Sequence, residues 1–360
     1  MMMLCAACVA SAANYLTFTA EEDGSTFGIV NAGNNPDVQY SLDGGETWNA
    51  LAAGDTITLA HKGDKALLRG DNPEGFSKSR SQYSTFKMTG KVAASGSVMS
   101  LIDGIGLSTE IPNGYCFCRL FRNCTSLTQA PELPATSLTI YCYDAMFLGC
   151  TNLKQVPTLP ATTLANFCYD GMFAGCTSLT QTPELPVTTL ASGCYYSMFS
   201  DCTGLTQAPA LPATTLADSC SMYMFSGCTG LSEIHVSFDN WLDGNNSTAY
   251  WVRNVAPTGT FICPKELPIE YGSSRIPEGW NVVYIGEGEA VEDIASTNTR
   301  AWTEGLNLYV RYTGDVIVYD LNGKQIDKAQ GDASDPICLS LPSHGVYVVK
   351  MGGKSMKVEL

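Results

Sequence analysis

Positive charge is scarce in this chain: 20 Lys and Arg stand against 35 Asp and Glu, a net charge of −15 over 360 residues. Nucleic acid and anionic membrane surfaces both require a basic face, so neither is expected as a partner. Histidine is scarcer, with only His61, His235 and His344 far apart along the chain. That sets most histidine-based acid–base and metal chemistry aside. No apolar run reaches the roughly 18 residues of a membrane span. A Ser/His/Asp set, a phosphate loop and a nucleotide fingerprint are also missing. No cofactor or metal is expected, while a carboxylate pair for glycoside hydrolysis stays open, since any two Asp or Glu could meet in space. Charged residues of all kinds make up 15 % of the chain, while 45 % is apolar. That is enough to build cores, and a chain of this length suggests two or three domains.

Residues 1–13 (MMMLCAACVASAA) read as the end of an export signal. Leu4 to Ala10 is apolar, and Ala10-Ser11-Ala12 matches a small-x-small cleavage pattern. No Lys precedes Lys62, so the start of the leader is expected upstream. Cys5 and Cys8 have CxxC spacing but fall inside this leader.

An internal repeat dominates the middle of the chain. Cys116, Cys142, Cys168, Cys194 and Cys220 recur every 26 residues, and so do Cys124, Cys150, Cys176, Cys202 and Cys228. Phe121, Phe147, Phe173, Phe199 and Phe225 keep the same register. One unit reads FCYDGMFAGCTSLTQTPELPVTTLAS, from Phe167 to Ser192. Four full copies run from Tyr115 to Asp218, and a fifth begins at Ser219 and fades after Leu231. A fixed period with Leu columns implies a solenoid, each coil burying the apolar face of the next.

Within a unit, apolar side chains at positions 2, 3, 6, 7 and 10 span an arc of about 140° at 100° per residue. This predicts a short helix, ended by the Gly before Cys150, Cys176 and Cys228. Pro131, Pro134 and their equivalents exclude helix and long central strand from the remainder. Short extended rungs separated by corners are expected there, with Leu127, Leu133, Leu138 and their equivalents facing inward. The paired cysteine columns would lie about 12 Å apart along such a helix. Neighbouring helices would be about 8–10 Å apart. A disulfide needs Cα atoms within about 7 Å, so free buried thiols are expected.

The segment MFxGCTSLT followed by LPATTL resembles the BspA-like leucine-rich repeats of surface proteins from anaerobic, Bacteroidetes-type bacteria. The resemblance covers about Tyr115 to Glu233, and the stretch from Asn240 to Trp280 is similar to the closing cap of such proteins. It implies a secreted or cell-surface binding protein, adhesin-like, with no catalytic residues. A host extracellular protein or glycan is the implied partner.

Two sets of solenoid columns are candidates for a binding face. Positions 1, 3 and 4 carry Tyr115, Tyr141, Tyr143, Asp144, Tyr169, Asp170, Tyr195 and Tyr196, where aromatic edges and carboxylates would suit a glycan or protein surface. For position 3 the alternative is packing inside the solenoid. Gln155 and Gln181 belong to a glutamine column (Gln129 to Gln207) that could instead bond along the stack.

The flanks read as β modules. Tyr15–Phe18, Thr56–Leu59 and Ala66–Arg69 are strand patterns. Ser41 to Trp48 fits S-x-D-x-G-x-T-W, the Asp-box of sialidases and other propeller proteins, whose Asp braces a hairpin turn. One copy does not make a propeller. Leu306–Tyr312, Val316–Tyr319 and Val346–Lys350 alternate, and Leu321-Asn322-Gly323-Lys324 is a hairpin turn. This last stretch is similar to the C-terminal sorting domains of type IX secretion substrates, which adds outer-membrane secretion machinery as a second implied partner. Asp239 to Gly244 carries a faint calcium-loop pattern without its spacing.

The expected fold class is mixed, mainly β with short helices: a leucine-rich-repeat solenoid flanked by an N-terminal β-sandwich and a C-terminal Ig-like β-sandwich. The expected boundaries are 1–13 leader, 14–110 N-terminal module, 111–235 solenoid, 236–290 cap and 291–360 C-terminal module. The expected function is non-catalytic recognition outside the cell. A structural surface-display spacer is one alternative, and a carbohydrate-active N-terminal domain with a repeat appendage is another.

Overall fold

The computed structural model describes residues 12–285 except Asp243, together with 300–304, 307–311, 313–320, 325–332, 337–342, 346–351 and 354–359. Residues 1–11 of the leader, with Cys5 and Cys8, the Leu321–Lys324 turn and Asp243 of the calcium-loop pattern lie outside the described residues. The chain divides into two compact units, Met1–Tyr284 and Ile285–Leu360. Its described structure is mainly β, and the one helix among these residues is α1 (Ser100–Asp103).

The first unit opens with β1 (Leu16–Ala20), β2 (Ser25–Ala32), β3 (Gln39–Ser41), β4 (Asn49–Ala50), β5 (Ile57–Leu59), β6 (Lys65–Arg69), β7 (Tyr83–Thr89) and β8 (Val92–Ser95). Alternation sets which side of each strand is buried: in β1, Leu16, Phe18 and Ala20 face the core while Thr17 and Thr19 face away. Phe18 meets Phe27 and Phe86 edge-on, at 5.4 and 5.0 Å between centroids. One sheet has the order β5-β2-β7. With β9 (Leu127–Gln129) of the first repeat, the larger sheet has the order β4-β3-β6-β1-β8-β9, in which β9 runs parallel to β8. Phe86 likewise stacks on Phe121 of that repeat at 5.5 Å. The core therefore continues from the N-terminal strands into the repeats.

The expected helices in the repeats are absent. Positions 1, 5 and 9 of each unit have left-handed φ instead: Tyr115, Arg119 and Asn123 in the first, Tyr141, Ala145 and Gly149 in the second. Between them the backbone makes successive tight turns. Even-numbered residues donate N–H three residues back (Cys118 to Tyr115, Leu120 to Phe117, Arg122 to Arg119), and odd-numbered residues donate to the next unit (Phe117 to Cys142, Arg119 to Asp144, Phe121 to Met146). Every second amide thus holds the turn and every other one holds the stack, which satisfies the backbone without an i−4 ladder. A four-residue step also places positions 2, 6 and 10 in one column and 3 and 7 in another. The apolar pattern fits that step as well as a 3.6-residue helix.

Stacking follows from this bonding. The rings of Phe121, Phe147, Phe173, Phe199 and Phe225 lie 5.5 to 5.8 Å apart and nearly parallel. Each is fully buried, contributing about 1.5–3 kcal/mol through burial alone. The coil spacing is therefore well below the 8–10 Å expected of helices, and the distance argument against disulfides does not hold. The described cysteines are nonetheless all free. Thiols at position 10 have a partner: Cys150, Cys176, Cys202 and Cys228 donate to the carbonyls of Phe121, Phe147, Phe173 and Phe199, at 2.9 to 3.2 Å.

The proline-containing half of each unit forms single parallel bridges, such as Gln129 to Gln155 and Ser137 to Thr163. Proline supplies no N–H for a longer ladder. Leu127, Leu133 and Leu138 are buried as expected, whereas Leu164, Leu190 and Leu216 in the last column are half-buried.

The stack extends beyond the repeats legible in the sequence. Ser219, Ser221, Tyr223, Phe225 and Gly227 donate to Asn245, Ser247, Ala249, Trp251 and Arg253, so a further coil runs across Asn246–Asn254. Strands on either side of this coil in the chain form a parallel sheet of β10 (Glu233–His235), β11 (Thr260–Cys263) and β12 (Asn281–Tyr284). Trp241, Trp251 and Trp280 close this end, each donating its indole N–H to a backbone carbonyl at 2.7 to 2.8 Å.

The second unit comprises β13 (Arg300–Glu304), β14 (Asn307–Arg311), β15 (Thr313–Asp320), β16 (Gln325–Asp332), β17 (Ile337–Ser340), β18 (Val346–Met351) and β19 (Lys354–Glu359). They form sheets β13-β14-β17 and β16-β15-β18-β19. Leu308, Val310, Val316, Val318, Leu339 and Val349 fill its core.

Candidate functional site

The aromatic positions separate into a buried column and a surface ridge. Tyr143, Tyr169 and Tyr195 are corrected as binding residues: each is at most 2 % exposed. Position 3 points into the coil, where Phe117, Tyr143, Tyr169 and Tyr195 stack at 5.9 to 6.1 Å. Burial holds the three phenols protonated well above the usual tyrosine range.

Position 1 makes the ridge. Tyr115, Tyr141 and Phe167 are half-buried and stack at 4.9 Å with ring planes within 11° of each other. At the next coil position 1 is Gly193, whose φ is +59° and on which a Cβ would meet the Phe167 ring at 2.2 Å. Phe167 covers the glycine, and the ridge shifts sideways to Tyr196, Tyr223 and Tyr250. Ring planes turn by 55° and 65° across this break, then realign to 14° between Tyr223 and Tyr250. Phe167, at position 1 like Tyr115 and Tyr141, continues that expected column, and Tyr223 and Tyr250 join the expected Tyr115, Tyr141 and Tyr196. Tyr223 and Tyr250 occupy left-handed positions four residues from their neighbours, a spacing that a helical reading conceals.

Along the straight part of the ridge Tyr141 stacks between Tyr115 and Phe167. At the break the ring planes of Phe167, Tyr196 and Tyr223 are no longer parallel.

Charge enters at one place. Arg80, from the loop between β6 and β7, bonds Asp144 Oδ1 at 2.6 Å and Oδ2 at 3.2 Å, also pairs with Asp170, and lies 4.6 Å over the Tyr141 ring. Asp144 is corrected as a surface residue: its side chain is 4 % exposed, held down by Arg80 and by the Cys118 thiol at 3.1 Å. Asp170, one coil further on, keeps 13 % exposure. Burial, and then the charge of Asp144, push its carboxyl up to about 6, against the opposing pull of Arg80. Burial opposes the charge of Arg80, but the two carboxylates hold it protonated. Arg80 comes from outside the repeat, and no pattern in the sequence joins it to Asp144 and Asp170.

Gln155 and Gln181 are exposed. At the end of that column Gln207 donates to Glu233 at 2.6 Å. The Asp-box is a braced turn: Asp43 accepts from Ser41 and from the N–H and hydroxyl of Thr47, which hold its carboxyl well below the usual range. Trp48 anchors it, donating to the Gly45 carbonyl with Arg69 4.0 Å over its ring.

A cavity of about 10 Å³ between Leu185, Leu190, Tyr195, Leu211 and Phe238 has room for about one water, far below the several hundred Å³ of a small-molecule site. Among the described residues no group of three or more His, Cys, Asp or Glu could hold a metal ion, and no helix is long and apolar enough to cross a membrane. Protein-family models, curated proteins and solved structures were compared with the chain, and none matches.

Proposed function

We propose that this protein is a non-catalytic recognition protein, exported to the cell surface or beyond, and that the ridge from Tyr115 to Tyr250 is its binding face. In this reading the 26-residue units form a leucine-rich-repeat solenoid of the BspA-like kind between two β-sandwich modules, the last of them a sorting module. The observation that carries it is the ridge itself, six partly exposed rings in consecutive coils. Clustered aromatic side chains offer large contact area at low entropic cost, as at protein interfaces. A rigid stack spaces them regularly, which suits an extended partner such as a host matrix protein or a glycan chain.

The test probes an array of matrix proteins, mucins and polysaccharides with the full chain and with a Tyr196→Ser, Tyr223→Ser, Tyr250→Ser variant of unchanged melting temperature. Saturable binding lost in the variant supports the reading. Equal binding by both moves recognition to another face, and no binding to any probe favours a display spacer.

A further inference from the structure

We propose that the loop tip bearing Arg80 is a latch over the middle of the ridge, loosened when Asp170 takes up a proton. The latch itself is read from geometry, and only its consequence for binding rests on the recognition reading above.

The loop is fixed at one point and held elsewhere by little. Phe76 and Ser77 are fully buried. The Phe76 carbonyl accepts from Asn34 at 2.6 Å, and Ser77 donates its N–H to Cys116 at 2.8 Å and its hydroxyl to Cys118. Beyond this anchor the tip is a small closed turn, in which Lys78 and Ser79 donate N–H to the Gln82 carbonyl and Ser81 and Gln82 donate theirs to the Ser79 hydroxyl. Lys78, Arg80, Ser81 and Gln82 are exposed. The Arg80 guanidinium on Asp144 and Asp170, and the Arg80 carbonyl accepting from Arg119 at 2.6 Å, hold the tip on the repeats.

Asp144 and Asp170 hold the same position in successive coils, so two carboxylates face one guanidinium. The groups around Asp170 are Arg80 on the tip, Arg119 on the first coil, Asp144 and Tyr141 on the second, and Tyr196 on the fourth. The guanidinium groups stay charged at any working pH, and burial keeps both phenols protonated. Asp170 is the member whose charge changes near pH 6. Above that, the charged Asp170 carboxylate pairs with Arg80 beside the hydrogen bonds to Asp144. Below it, the charge on Asp170 is lost, only the bonds to Asp144 remain, and the guanidinium over Tyr141 is freer to leave the ring.

The experiment is backbone amide exchange on the full chain at pH 7.5 and pH 5.0, corrected for intrinsic rates, in wild type, Asp170→Asn and Arg80→Gln. Protection of residues 78–82 in wild type is expected to fall about tenfold at the lower pH, the worth of one charge-assisted hydrogen bond. Asp170→Asn should be low at both pH values with no further change, and Arg80→Gln likewise, while core amides of Phe147 and Phe173 stay protected. Wild-type protection that does not change with pH, or an Asp170→Asn protein that keeps the wild-type response, overturns the latch. The wild-type comparison decides alone if a variant misfolds. No ligand is involved, so failure here leaves the recognition reading standing, and failure of that reading leaves the latch.

Discussion

Sulfur in the repeats acts as a small apolar group with a weak donor. The Cys150 thiol lies in contact with the Phe121 carbonyl at 3.0 Å, and burial pushes thiols such as Cys124, Cys168 and Cys228 up to about 12. Since the thiolate is the reactive form, alkylation at pH 8 with peptide mapping should label the exposed Cys338 quickly and the buried columns only after unfolding. Labelling of Cys142 or Cys168 in the native protein would mean that the coils open. Asp170 gives a second outcome at this scale. Its folded pKa of about 6 lies above the ordinary 3.8, so the native state binds more protons between these values and stability falls as pH rises through that window. Asp170→Asn should therefore raise the melting temperature above pH 6, by an amount that shrinks on acidification and vanishes below pH 3.8. A variant less stable than wild type at pH 7.5 would show that Arg80 outweighs burial.

The coil is the natural element, and much of it was legible. The 26-residue period fixed which residues share a column, and the inward placement of Cys116, Phe121 and Leu127 followed from it. Its backbone was not legible, because positions 2, 3, 6, 7 and 10 satisfy a helix and a four-residue spiral alike. The distinguishing signal is left-handed-tolerant residues at positions 1, 5 and 9 of a coil: Gly171 and Gly175 four residues apart, Asn246 and Asn254 eight apart, and Asn123 and Asp201 singly. Asn246 and Asn254 mark a further coil where the side-chain consensus has gone. Because each coil bonds only its neighbours, removing one full register, residues 167–192, should leave a cooperative fold with a lower melting temperature. Removing half of it, 167–179, should abolish the fold, and circular dichroism melts separate the two. Phe173→Ala, in the middle of the ring column, should cost about 3–5 kcal/mol in urea unfolding. A cost under about 1 kcal/mol would mean that the column does not carry the stack.

At the scale of the whole molecule, composition and architecture agree. Net charge is −15, yet the ridge carries little of it beyond the Arg80 cluster. The Tyr115 and Tyr141 pair could be foreseen from position 1. The sideways shift at Gly193 and the arrival of Arg80 could not, because both depend on what lies across a coil or a loop rather than along the sequence. Contacts made by rings and hydroxyls on such a surface are screened little by salt. The most direct measurement is a binding isotherm of the full chain against the strongest array partner, at low and at moderate salt, beside the Tyr196→Ser, Tyr223→Ser, Tyr250→Ser variant. The expected result is an affinity nearly independent of salt in wild type and lowered at least tenfold in the folded variant. Binding that collapses at moderate salt, or that survives intact in the variant, would contradict the ridge as the recognition face.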